Sequence, residues 1–206
     1  MTKLVIIGAG GHGKVVADCA ETMGHYEEIV FIDDIVEHTK SVLHWPIVGD
    51  SSQWNLMSND AEFIVAIGNN HTRFRLMNEL IQYGANIATI IHPSAQISQY
   101  ASIGKGSVVF AGAVINCSAT IGRAAIINTS ATIDHDCVIG DACHISPGAN
   151  IAGMVTLGDR VWVGIGSAIV QCLTVGQDIQ LGAGSVVTKT IGQPGLYVGI
   201  PAVKIK

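Results

Sequence analysis

From Ile91 onward an aliphatic residue returns at every sixth position, seventeen times in succession and without an insertion, through Val109, Ile127, Ile145, Val163 and Leu181 to Val187. Four residues after each lies a second ring of mostly small side chains, from Ala95, Ala101 and Ser107 through Cys137 and Cys143 to Ser167, Leu173, Ile179 and Ser185. A period of six matches neither the 3.6 of a helix nor the alternation of a hairpin sheet. It predicts a parallel β-helix in which each hexad is one short strand and a corner. The aliphatic side chain points inward, and the small one lets the chain turn over a narrow core. Three hexads close a triangular coil, so identical positions recur every 18 residues and stack about 4.8 Å apart, the spacing of neighbouring strands. The repeat supplies about five coils.

The first ninety residues follow a different pattern. Lys3–Gly8 reads as an apolar strand, Gly8-Ala9-Gly10-Gly11-His12-Gly13 as a turn, and Lys14–Gly24 as a helix. A second strand, Ile29–Ile32, ends in Asp33-Asp34. A glycine turn between strand and helix brings backbone N–H groups and a helix N-terminus against an anionic phosphate, and carboxylates some twenty residues later can accept from ribose hydroxyls. A second βα unit follows. Phe63–Ile67 reads as a strand, Gly68-Asn69-Asn70 as a turn with N-cap candidates, and Thr72–Tyr83 as a helix with Phe74, Met77, Leu80 and Ile81 on one face. Ile87–Ile90 completes a small parallel sheet and leads into the repeat. Ninety residues hold half of a full dinucleotide fold, which suits a UDP-sugar better than NAD. A purely structural cap is the other reading of this segment. The predicted organisation is a small Rossmann-like domain (1–90), a β-helix (91–187) and a closing segment (188–206).

Composition narrows the class. The 206 residues are 49% hydrophobic and 13% charged, which excludes a disordered tail, a solvated coiled coil and a charge-driven nucleic-acid binder. Glycine and polar residues interrupt every apolar run before the roughly 18 residues that a membrane span requires. Lys3 precedes a short run that passes straight into Gly8, so no signal peptide is expected. Five cysteines without paired spacing fit a reduced, cytoplasmic chain. Residues 1–90 carry a net −6 and residues 91–206 a net +1, so anionic substrates must be held by local donors rather than by overall attraction.

The candidate chemistry centres on His135, which stands between Asp134 and Asp136 at the third place of its hexad, near a corner and off the inward positions. An exposed imidazole beside carboxylates suits a general base, because a neighbouring Asp fixes its tautomer and raises its basicity. A solvated polar corner is the plainer reading. Gly153 lies 18 residues further and should stack one coil above His135, with its N–H approachable as an oxyanion donor. Cys117 should stack one coil below, and Trp162 beyond His144 by the same arithmetic. Cys137 and Cys143 fall in the small inward ring and read as packing residues.

The glycine turn, Phe31-Ile32-Asp33-Asp34, the hexads, Ile133-Asp134-His135-Asp136-Cys137, His144 and Gly199-Ile200-Pro201-Ala202 occur in an order that resembles one group over essentially the whole chain. It is similar to the hexapeptide-repeat acyltransferases, and within them to the UDP-4-amino-sugar N-acetyltransferases of the bacillosamine type and their sialic acid O-acetyltransferase kin. The resemblance implies a left-handed β-helix, against the usual right-handed crossover, and a homotrimer with active sites between subunits. It implies acetyl-CoA as co-substrate, a UDP-amino-sugar as acceptor and no metal. It assigns His135 as base and Asp136 as the carboxylate that supports it. Relatives often have Glu at the place of Asp136, so the shorter side chain is expected to reach the ring less well, with Asp134 as alternative partner. It assigns His144, the Ile165 backbone and Ala183, which stands where relatives have Gly, to acetyl-CoA. Gly11, His12, Gly13, Asp33, Asp34 and Gly68 fall around the UDP-sugar.

Three other readings compete. A sugar O-acetyltransferase would share the same base and donor. A zinc enzyme on the same prism needs three converging imidazoles, and His135 and His144, nine residues apart, lie on different parts of the triangle. A non-catalytic protein that senses a nucleotide sugar would not require His135 and His144 in their matching places.

Overall fold

The computed structural model describes residues 2–34, 40–50, 53 and 61–206, and the chain divides into two compact units, Met1–Pro93 and Ser94–Lys206. No helix among the described residues is long and apolar enough to cross a membrane.

The first unit is an α/β layer. Its strands β1 (Lys3–Ile7), β2 (Glu28–Ile32), β3 (Ser41–Val42), β4 (Trp45–Gly49), β5 (Ala61–Val65) and β6 (Asn86–Ile87) lie in the order β3-β4-β2-β1-β5-β6. β1 pairs in parallel with β2 on one side and β5 on the other, and Leu4, Val5 and Ile6 are fully buried. A central parallel strand is covered on both faces, which is why it is continuously apolar. The chain leaves β1 through helix α1 (Gly11–Met23) and reaches β5 before helix α2 (Asn70–Gln82). The strand order therefore reverses around β1, and a crevice opens at the carboxyl ends of β2, β1 and β5.

Several local expectations shift. Helix α1 begins at Gly11 rather than Lys14, with Gly10 in the extended N-cap position. Helix α2 begins at Asn70, and the Asn69 side chain caps it by accepting from the Thr72 N–H at 2.9 Å. The face that α2 buries is Asn70, Arg73, Met77 and Leu80, while Ile81 turns outward. Arg73 is tolerated inside because its guanidinium donates to the Ile67 and Gly68 carbonyls and to Asn70 Oδ1. The expected strand Ile87–Ile90 is two pieces, with β6 ending at Ile87 and a separate strand at Ile90–Ile91. The antiparallel pair β3 and β4 was not foreseen from the sequence pattern.

The second unit is the parallel β-helix that the period of six predicts. Strands of two residues recur in register 18 positions apart: Ile115 pairs with Ile133 and Ile133 with Ile151, Ile121 with Ile139, and Ile127 with Ile145. The inward aliphatic ring from Val109 to Val187 is buried to within 2% of full burial at every position. The small ring is equally enclosed from Ser107 to Ser167, including Cys137 and Cys143. Each fully buried Val, Leu or Ile contributes about 1.5–3 kcal/mol, so the repeat is its own hydrophobic core.

The corners are tight. In the column Gly104, Gly122, Gly140 and Gly158, a Cβ would fall 2.5–2.7 Å from backbone atoms of the next coil. Two residues after each of these glycines the backbone enters the left-handed region, as at Gly106, Ala124, Ala142 and Arg160. Exposed corners are tied across coils by Arg123 with Asp141 at 2.6 Å and Arg160 with Asp178 at 2.8 Å. Beyond Val187 the hexads stop, and Gly195–Val198 extends one face as a strand that Val203–Lys204 then joins antiparallel.

Candidate active site

In the β-helix, His135 stands on a corner with about half of its side chain exposed. Its Nδ1 is 2.7 Å from Asp136 Oδ2. Asp136 lies at a φ of 58°, the left-handed corner position that Asp accommodates better than most residues. The shorter carboxylate therefore reaches the ring fully, against the expectation from sequence. A carboxylate only accepts, so the ring presents Nδ1–H to Asp136 and keeps the Nε2 lone pair. The Asp136 hydrogen bond, followed by the charge of Asp134, raises the His135 pKa above the ordinary imidazole value. Asp134 does not pair with the ring. Its Oδ1 accepts from the His135 backbone N–H at 2.8 Å and from Asn116 Nδ2 at 2.9 Å. These donors hold its carboxyl below the usual range.

Gly153 lies against the imidazole one coil on, where an added Cβ would stand 2.6 Å from Nε2. The chain pairs tightly here, with the Met154 N–H donating to the His135 carbonyl at 2.9 Å. Among the described residues the Gly153 N–H has no acceptor, and Nε2 of His135 has no donor. A proton acceptor thus lies against a residue whose backbone N–H has no acceptor among the described residues. Cys117 sits one coil below, where its carbonyl accepts from the Asp136 N–H at 3.1 Å.

The next face holds His144 and Trp162 in register. Their rings stack with centroids 5.3 Å apart and planes 12° from parallel, and the indole N–H donates to Ser146 Oγ at 3.0 Å. Asn128 Nδ2 lies 3.4 Å from His144 Nε2. Past the following corner, Ile165 is 57% exposed and Ala183 is exposed one coil further. Neither backbone N–H has an acceptor among the described residues, so both remain available to a ligand.

In the α/β unit a cavity of about 680 Å³ occupies the crevice at the strand ends. Of the residues singled out from sequence, Gly11, His12, Asp33, Asp34 and Gly68 line it. Gly13 does not. It is buried beneath the turn, where a Cβ would overlap the Gly8 carbonyl, so its glycine serves helix–strand packing. Asp33 Oδ2 accepts from the Ala9 N–H at 2.6 Å and so shapes the glycine turn, and Asp34 follows it on the cavity wall. Burial, with the nearby Arg73 charge, pushes His12 down to about 4, so its ring is neutral near pH 7. Sequence reasoning missed Thr72, Arg75 and Glu79 on the wall, and the 2.7 Å pair of Arg75 with Glu79. The signal was present in the polar face of α2, at the spacing of one helical turn.

Among the described residues no three His, Cys, Asp or Glu side chains are grouped to hold a metal ion.

Residues 3–80 match the family described as the PglD N-terminal domain. Over 113 residues the chain is 34% identical to the UDP-N-acetylbacillosamine N-acetyltransferase of Bacillus subtilis (strain 168), a match that covers 54% of this chain. It covers 52% of that protein, so the chain spans about half the length of this curated relative. The solved acetyltransferase domain of PglB from Neisseria gonorrhoeae FA1090, in complex with acetyl coenzyme A, is 40% identical with a TM-score of 0.95, over 98% of both chains. PerB from Caulobacter crescentus, in complex with CoA and GDP-perosamine, is 37% identical with a TM-score of 0.93, over 99% of this chain and 97% of that one.

Proposed function

We propose that this chain, which belongs to the family of PglD-type hexapeptide-repeat acetyltransferases, moves the acetyl group of acetyl-CoA onto the amine of a nucleotide-linked amino-sugar. The observation that carries this reading is the His135 pair: Nδ1 bound to Asp136, and Nε2 lying against Gly153.

The roles follow from that geometry. His135 Nε2 takes a proton from the sugar amine as its nitrogen forms a bond to the thioester carbonyl carbon. The Gly153 N–H donates to the oxyanion of the tetrahedral intermediate. As the intermediate collapses the C–S bond breaks, and the proton on Nε2 passes to the departing CoA thiolate. Asp136 stabilises the imidazolium in between. No nucleophile on the protein is needed, so Cys117 has no covalent part.

The stacked rings of His144 and Trp162 offer a surface for acetyl-CoA, and the free N–H groups of Ile165 and Ala183 offer donors to its amide carbonyls. A contact made by backbone tolerates Ala at position 183 as well as Gly. In the α/β unit, Gly11 and the α1 N-terminus suit a pyrophosphate, and Asp34 suits a ribose hydroxyl. The acceptor is a UDP-4-amino-4,6-dideoxy-sugar, in keeping with the UDP-sugar relative and with a domain of half-dinucleotide size. The enzyme works in the cytoplasm, where all five of its free cysteines stay reduced, as a homotrimer with active sites shared between subunits.

Mass spectrometry of the product tests the reading. Gain of one acetyl group that survives mild alkali identifies an amide, whereas loss of the group on alkali treatment identifies an ester and refutes N-acetylation.

A further inference from the structure

The corner below His135 contains an arrangement that the reaction as described leaves unused. Asn116 and Asp134 occupy the second places of hexads 18 residues apart, and their backbones are held in the ladder by Ile133 and Ile151 carbonyls at 2.9 and 3.0 Å. The Asp134 carboxylate spans two coils. One oxygen accepts both from the His135 backbone N–H and from the Asn116 amide. Third-place N–H groups elsewhere on these corners, at Gly153, Ile165 and Ala183, have no acceptor among the described residues. At Thr129 the N–H is bound by the Asn128 side chain at 2.8 Å, which is the same tie without a charge. The third-place N–H groups of Arg123 and Asp141 are also bound by carboxylates, but by those of the next coil, Asp141 Oδ1 at 2.7 Å and Asp159 Oδ1 at 2.8 Å. Beside His135 the carboxylate belongs to the preceding residue and is held by the amide of the preceding coil.

We propose that Asn116 and Asp134 form a brace of positioning residues, which fixes the His135 backbone so that Nε2 is aimed over Gly153 and places a negative charge beside the imidazolium. This rests on His135 being the base. The two effects are separable because they reside on different atoms. The Asn116 amide holds the carboxylate in place, and the carboxylate supplies the charge. The charged or titratable groups that face the ring are Asp134 and Asp136 from its own turn and Cys117 from the coil below. The coil above presents Gly153 and Met154, which are uncharged.

Asp134→Asn keeps an oxygen for both hydrogen bonds and removes the charge, whereas Asn116→Ala removes the anchor and keeps the charge. Asp134→Asn is expected to move the acidic limb of the kcat/KM profile to lower pH. Asn116→Ala is expected to lower kcat by about tenfold through misorientation, with KM values and the limb unmoved. Melting temperatures close to that of the parent confirm that both variants are folded. His135→Ala is run alongside. Loss of turnover in His135→Ala, with parental kcat and an unmoved limb in both brace variants, overturns the brace alone. Parental turnover in His135→Ala overturns the base assignment on which it rests.

Discussion

Gly153 stands so close to His135 that a methyl group on its Cα would lie 2.6 Å from the imidazole Nε2 and 2.7 Å from Cε1. The glycine is therefore required by the side chain it faces. Its own backbone lies outside the left-handed region. Gly153→Ala is expected to push the ring off its Asp136 bond and to lower kcat by about 100-fold, the lower end of what a positioned base contributes. The melting temperature should change little, because the displaced ring is exposed. Steady-state kinetics paired with a thermal melt check both halves.

The pH dependence of turnover follows from the same ring. Its pKa is raised, first by the Asp136 hydrogen bond and then by the Asp134 charge. The base form therefore accumulates only above the ordinary imidazole value of about 6.5, and the acidic limb of kcat/KM should lie above it. Asp136→Asn removes the bond to a charged acceptor, so the limb should move to lower pH while the plateau rate falls. A limb that stays in place would assign the titration to another group.

The solenoid was legible because its register is written in side-chain type. Ile133, Ile139 and Ile145 each fall on the inward ring, and the 18-residue arithmetic placed Gly153 on His135 and Trp162 on His144. What the period does not encode is handedness, which follows from how the corners turn and entered with the family resemblance. In the α/β unit, Arg73 defeated the apolar-face reading of α2. A guanidinium that donates to three buried acceptors is acceptable inside, yet nothing in the local pattern announces those acceptors. The β3–β4 pair escaped because Ser41–Val42 is too short to show alternation, and Pro46 in β4 argues against a strand. The choice between Asp134 and Asp136 also needed coordinates, since sequence places both one residue from the histidine.

The stack of His144 on Trp162 makes a separate prediction about the donor. Trp162→Ala removes the indole that covers the imidazole and opens the hydrogen bond to Ser146. KM for acetyl-CoA should rise by about tenfold, the scale of one aromatic contact, with kcat at saturation nearly unchanged. Isothermal titration with CoA reads the same loss without turnover. A fall in kcat alone would remove this face from cofactor binding.

The glycine column tests the fold itself. At Gly140 a Cβ would lie 2.7 Å from the Asp159 backbone nitrogen and the Gly158 carbonyl carbon, and neither can move without parting the coils. Gly140→Ala should cost about 3 kcal/mol through overpacking. For a chain of this size that is a fall of roughly 6–12 °C in melting temperature. Gly166→Ala, where a Cβ meets nothing within 4 Å but φ is 63°, should cost less.

The most direct measurement is thiol release from acetyl-CoA with UDP- and GDP-linked 4-amino-4,6-dideoxy-sugars, using UDP-GlcNAc as the amine-free control and His135→Ala as the comparator. The account predicts release with the UDP-linked amino-sugar and none with the control. It also predicts a loss of about 10²–10⁴-fold in the variant. Release that persists in His135→Ala would contradict it, as would silence across the amino-sugars from a folded protein that still binds acetyl-CoA.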